Sequence, residues 1–281
     1  MILIHMNYTK TYLNIMNTSI YCEHALQKEK PPLFLLHGFV ASSYTFNRLK
    51  PLLAKNFSVI AIDLPGFGKS EKSTTFTYSF DQYANLVLAC FDYFQLKRVA
   101  IGGHSMGGQI ALYTAKKAPD RVTKLLLFAS SGYLPGAKPY LIYSSYLPFF
   151  HLLAKRKINA ESVVKNLRNV FYDHSLITAD QIEEYGKPLQ DKNFPKSLIR
   201  LLRHREGDLT SKELQTIKTP ALLLWGVADK VVPLSIGKRL AADLPHATLI
   251  SYDKTGHLIT EEKPEALYQQ ILAFLTEEAG T

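Results

Sequence analysis

Val99-Ala100-Ile101-Gly102-Gly103-His104-Ser105-Met106-Gly107-Gly108 lies near the middle of a 281-residue chain, and its reading decides the fold. A short β-branched and apolar run leads into Gly-x-Ser-x-Gly, and a helical pattern follows at once. That order predicts a strand, a very tight turn with Ser105 at its tip, and a helix starting directly behind it. Such a turn strains the serine backbone and holds its Oγ clear of the surface. Gly103 and Gly107 flank it because side chains at those places would collide across the turn. The turn also aims the N–H of Met106, at the helix N-terminus, at whatever Ser105 attacks. The residues point to a serine nucleophile.

Upstream, the pattern repeats twice. Thr11 to Met16 and Ser19 to His24 suggest two early strands. Leu33-Phe34-Leu35-Leu36 and Ser58-Val59-Ile60-Ala61-Ile62 are unbroken apolar runs of the kind that doubly covered parallel strands show. They end in His37-Gly38-Phe39 and in the turn-rich Asp63-Leu64-Pro65-Gly66-Phe67-Gly68-Lys69-Ser70. A helix is expected over Arg48 to Lys55. Another is capped by Ser79 or Asp81, with Leu86, Val87, Cys90, Phe91 and Phe94 at helical spacing.

Downstream, Ile110, Ala111, Thr114, Ala115 and Ala118 face one side of the helix behind Ser105, which Pro119 stops. Val122 to Phe128 is a further strand. From Tyr133 to about Thr216 no strand-like run occurs. Helices are expected over Tyr140 to Leu153, Val163 to Phe171, Ala179 to Tyr185 and Pro195 to Arg203. Alternation resumes with the strand Ala221 to Trp225, a helix opened by Pro233, the strand Thr248 to Tyr252 and a helix after Pro264. The chain therefore reads as α/β, with a mostly parallel central sheet and helices on both faces. Residues 1–132 and 217–281 would form the core, and 133–216 an inserted helical cap.

The net charge is +9 and the apolar fraction 47%. The basic residues are scattered and carry no recognition motif, so nucleic-acid binding is not indicated; charge at this level bears on solubility and loose association. Cys22 and Cys90 give neither a disulfide framework nor metal-ligand spacing. The opening Met-Ile-Leu-Ile-His-Met is too short for a signal segment, and no stretch approaches a membrane span, which predicts a cytoplasmic protein. The histidines outside the catalytic set show no paired spacing, so no metal site is expected, and no cofactor motif stands out. Gly66-Phe67-Gly68-Lys69-Ser70 lacks the spacing of a phosphate loop.

A serine hydroxyl needs a base within hydrogen-bond reach and a third group to orient that base. In open α/β sheets reactive residues collect after the carboxyl ends of strands. Asp229 follows the strand 221–225 and His257 follows the strand 248–252, giving the order Ser, Asp, His. Asp253, four residues before His257, is the second candidate for the acid. His257 would take the proton of Ser105 and return it to the leaving group, with Asp229 holding the imidazole. The oxyanion would meet the N–H groups of Met106 and Phe39. His37 is expected to brace the oxyanion loop, and His104 to point away from Ser105. The aromatic stretch from Tyr140 to Phe150 would either line an acyl pocket or pack cap onto core. Arg200, Arg203 and Arg205 would form a solvated helix face or meet an anionic substrate group.

Taken together, His37-Gly38-Phe39, Asp63 to Ser70, Gly103 to Gly108, Trp225-Gly226-x-x-Asp229 and Thr255-Gly256-His257 before Glu262-Lys263-Pro264 resemble the α/β-hydrolase superfamily. The resemblance covers nearly the whole chain beyond residue 30. In the cap stretch Tyr143 to His151 it is similar to the YugF-type hydrolases of bacilli, which names a subgroup and no substrate. It implies an α/β-hydrolase fold and a cofactor-free serine hydrolase of small to medium apolar esters, with Ser105, His257 and Asp229 as triad. Ser105 speaks against the dehalogenase and epoxide-hydrolase branches, which place aspartate there. Carbon–carbon bond hydrolases of aromatic degradation share Ser-Met-Gly-Gly, but usually carry Asn and Trp where this chain has His104 and Leu258. A perhydrolase side activity and a non-catalytic ligand receptor on the same fold are the remaining alternatives. The residues fix no oligomeric state, monomer or dimer.

Overall fold

The computed structural model describes residues 8–147, 150 and 163–277. The opening residues 1–7, and most of the expected Tyr140–Leu153 helix beyond residue 147, lie outside them. Among the described residues there are eight strands: β1 (Thr9–Ile15), β2 (Thr18–Ala25), β3 (Pro32–Leu36), β4 (Ser58–Ile62), β5 (Val99–His104), β6 (Val122–Phe128), β7 (Ala221–Gly226) and β8 (Ala247–Tyr252). They form one sheet in the order β1-β2-β4-β3-β5-β6-β7-β8. The hairpin of β1 and β2 joins β4 antiparallel, and every other pair is parallel.

The unbroken apolar runs are explained by coverage on both faces. In β3, Phe34 and Leu36 enter one core with Ile60, Ile62, Val87 and Ile110, while Leu33 and Leu35 enter another with Leu53, Val59, Leu267 and Ile271. The helices Phe80–Tyr93 and Met106–Lys117 cover the first face, and Pro264–Thr276 the second. Each fully buried Leu or Phe contributes roughly 2 kcal/mol. Exposed ion pairs such as Lys117–Asp81 contribute at most about 1 kcal/mol each. The two cores hold the sheet.

Ser79 caps the helix Phe80–Tyr93, its hydroxyl accepting from the Gln82 N–H. Between β6 and β7 the described residues carry helices at Pro139–Ser144, Val163–Val170, Ala179–Gly186 and Phe194–His204, and no strand. The first ends at Ser144 and buries no residue. The short Arg48–Lys55 helix is trimmed to Lys50–Leu53, and a 3-10 turn at Ser43–Phe46 precedes it.

Candidate active site

Ser105 sits between β5 and the helix Met106–Lys117 with φ 52° and ψ −118°. A non-glycine residue held there stores about 1–3 kcal/mol of strain, which the surroundings must enforce. They do so through the backbone: the Ser105 N–H donates to Phe128 O (3.0 Å), and Gly108 and Ser131 donate to Ser105 O (2.9 and 3.0 Å). The glycines permit the close approach. A Cβ on Gly103 would lie 2.2 Å from Gly107 O, and one on Gly107 would lie 2.2 Å from Leu36 O. Gly107→Ala therefore pushes backbone against backbone and should cost about 3 kcal/mol. Urea unfolding measures this as a lowered midpoint at unchanged slope; a wild-type midpoint would show that the turn relaxes freely.

Asp229 and His257 arrive from β7 and β8. Trp225 Nε1–H donates to Val232 O (2.9 Å), which pins the loop after β7. The N–H groups of Val231 and Val232 then donate to Asp229 Oδ1 at 2.8 and 2.9 Å. That leaves Oδ2 for His257 Nδ1, 2.7 Å away, with both side chains buried. A carboxylate accepts only, so Nδ1 carries the proton and Nε2 is left as the basic nitrogen. Asp253, by contrast, is exposed at the end of β8.

His104 does not stay out of this group. Its ring lies 4.7 Å from that of His257, and its Nε2 is 2.9 Å from His257 O. The strand alternation that placed it away from Ser105 ends at Ser105 itself. Burial, with His257 beside it, pushes its pKa down to about 3, so it remains neutral next to His257. His37 is fully buried and ties two loops together. Its Nε2 accepts from the Leu64 N–H (2.9 Å), and its Nδ1 donates to Gly38 O (2.7 Å).

Ser105 opens on a cavity of about 430 Å³. Among the described residues its lining includes Phe39, Met106, Leu134, Leu198, Leu201 and Leu202. Met106 is the first helical residue, whose N–H has no acceptor within the helix. The leucines of the helix Phe194–His204 form that wall, and Tyr140 and Tyr143 are exposed, so Tyr140 to Leu147 do not line it; Pro148 and Phe149 of the expected acyl-pocket stretch lie outside the described residues. Nor do the three arginines form a solvated face. Arg200 donates to Phe76 O (3.0 Å) and Arg203 to Ser145 Oγ (2.8 Å). Arg205 lines the cavity, paired with buried Asp208 at 2.9 Å.

Two adjacent glutamates just past His257 fasten the helical segment to the histidine loop. Glu262 accepts the N–H groups of Gly256 (2.7 Å), Tyr172 (3.1 Å) and Asp173 (3.2 Å). The His257 N–H itself donates to Val170 O (2.7 Å). Glu261 accepts from Gln181 Nε2 (2.8 Å) and Tyr185 OH (3.2 Å), with Arg48 Nε at 3.6 Å. Burial outweighs these partners and pushes its carboxyl from 4.5 up to about 7. Between those values the folded protein holds a proton that the unfolded chain has lost. The stability contributed by this group is thus full below about pH 4.5 and lost as pH rises through about 7. Glu261→Gln should flatten that decline, by on the order of 2 kcal/mol, when Tm is compared at about pH 5 and about pH 8. An unchanged decline would assign it to another group.

Among the described residues no cluster of three His, Cys, Asp or Glu side chains is placed to hold a metal ion, and no helix is long and apolar enough to cross a membrane. Residues 31–264 match the profile of the alpha/beta hydrolase fold family. The chain is 44% identical over 257 residues to the uncharacterized hydrolase YugF of Bacillus subtilis (strain 168), covering 92% of this chain and 94% of that one. It is 31% identical over 254 residues to a 2-hydroxy-6-oxononadienedioate/2-hydroxy-6-oxononatrienedioate hydrolase of Pseudomonas putida, covering 86% of each. Among solved structures it superposes on a membrane phospholipase A described as a bacterial virulence factor, with TM-score 0.80, 28% identity, and 95% and 86% coverage of the two chains. The serine turn, the strand order and these relatives agree: the chain belongs to the alpha/beta hydrolase fold family.

Proposed function

We propose that the protein is a serine hydrolase of carboxylic esters with small to medium apolar acyl groups, and that residues 133–216 form a cap over its site. The observation that carries this reading is the Asp229–His257 contact of 2.7 Å, taken with a serine held at positive φ on an apolar cavity. Ser105 Oγ attacks the acyl carbon while His257 Nε2 takes its proton. The C–O bond of the tetrahedral intermediate breaks, and His257 returns the proton to the departing alcohol. Water then repeats the sequence on the acyl-enzyme, releasing the acid. The N–H groups of Met106 and Phe39 meet the oxyanion, each worth on the order of 3 kcal/mol in the transition state. Asp229 holds the Nδ1–H tautomer and offsets the imidazolium charge. Neutral His104 adds no second cation beside it.

Labelling with a fluorophosphonate, followed by peptide mass spectrometry, tests the nucleophile. Attachment at Ser105 that is lost in His257→Ala supports the triad; a folded sample that does not label overturns it and favours a ligand receptor. A second reading, hydrolysis of a carbon–carbon bond in a dienoate acid, is favoured by the Pseudomonas relative and by Arg205 in the cavity wall. Turnover of such an acid exceeding that of every ester would promote it.

A further inference from the structure

Exposed apolar side chains occur in the cavity lining and in the segment that runs on from it. Phe39, Leu134 and Val231 line the cavity and yet are 52%, 51% and 45% exposed, so its apolar wall continues on to the surface. From Leu134 the chain runs into the helix Pro139–Ser144 and the turn behind it. There Tyr140, Tyr143, Tyr146 and Leu147 are each more than 60% exposed, and Leu141 is partly so. This edge is pinned outward. Ser145 is buried, and Arg203 donates to its hydroxyl and its carbonyl oxygen while stacking 3.9 Å over the Tyr146 ring.

The chemistry of the edge is not that of a subunit core. Three of its large side chains are tyrosines, whose rings carry a polar tip and settle at the headgroup level of a bilayer. Lys138 is exposed at the start of the helix, and the Arg203 guanidinium lies beside Tyr146. The segment from Ser130 to Leu147 contains no aspartate or glutamate, and the whole chain carries +9. Basic residues next to interfacial tyrosines favour an anionic lipid surface.

We propose that residues 134–147 dock the protein on an anionic bilayer and set the mouth of the Ser105 cavity against it. The docking stands on the surface alone. Its consequence, that the esters hydrolysed include acyl lipids entering from the bilayer, rests on the serine-hydrolase reading.

The two parts are tested separately. Ser105→Ala protein is sedimented with phosphatidylcholine vesicles, with and without phosphatidylglycerol, at low and high salt. Binding is expected with the anionic vesicles, weakened by salt. It should fall at least about tenfold in the triple variant Tyr143→Ser, Tyr146→Ser, Leu147→Ser, and partly in Lys138→Glu. With Ser105 retained, the same two sets of substitutions should leave hydrolysis of a water-soluble short-chain ester unchanged, which shows that they fold. No binding to anionic vesicles, or equal binding by the triple variant, overturns the docking. So does a dimer in sedimentation velocity that the triple variant abolishes, since a second copy would then cover this edge. Vesicle binding without turnover of any ester leaves the docking standing and sinks the hydrolase reading.

Discussion

Ser105→Ala is expected to lower ester turnover by roughly five orders of magnitude without unfolding the protein. The hydroxyl makes no capping hydrogen bond to the helix behind it, and the turn is held by backbone bonds that alanine keeps. Stability should therefore change by less than about 0.5 kcal/mol. What remains would be the rate that the oxyanion donors and the cavity give without a nucleophile. Single-turnover assays with an activated ester, paired with urea unfolding, separate the two effects. Turnover within tenfold of wild type would mean that Ser105 is a turn residue and that the chemistry lies elsewhere.

The second large effect is expected from Asp229→Asn, about a 10⁴-fold drop in kcat with little change in KM. Its cause is geometric. The N–H groups of Val231 and Val232 hold Oδ1, and an asparagine would keep its one oxygen there. The NH₂ would then face His257 Nδ1 and donate to it, driving the ring proton to Nε2. A histidine in that tautomer cannot accept from Ser105. Steady-state kinetics checks the size of the loss. A drop smaller than tenfold would give the orienting role to another acid, with exposed Asp253, four residues before His257, the next candidate.

Why so much of the core was legible follows from burial on both faces. β4 and β6 coincide with the runs Ser58–Ile62 and Val122–Phe128, because strands covered on both sides need no polar alternation. The 3-10 turn at Ser43–Phe46 was not legible: four residues carry no period, and Phe46 packs only once the sheet is assembled. The pairing of Asp229 with His257 could be anticipated because both follow strand ends, where the sheet gathers loops. The stacking of His104 on His257 could not, since it depends on how far two loops lean toward each other. Glu262 stood in a recognisable Glu-x-Pro pattern, yet its partners Tyr172 and Asp173 lie in a segment that gave no strand signal. The roles of Arg200 and Arg203 likewise rest on acceptors, Phe76 O and Ser145, that periodicity does not reach.

The hold of Glu262 and Val170 on the histidine loop also bears on how such proteins can be recombined. A chimera that exchanges the helical insert at the strand ends, after β6 and before β7, would remove Val170, Tyr172 and Asp173 with the outgoing segment. The incoming insert would have to present the same carbonyl and the same two N–H groups, or Gly256 and His257 would lose their anchors. A graft that leaves residues 167–185 with the recipient keeps those anchors and the Glu261 contacts to Gln181 and Tyr185. The exchangeable module is therefore narrower than the topology suggests, and its natural joints are Leu134 and the start of the Val163–Val170 helix.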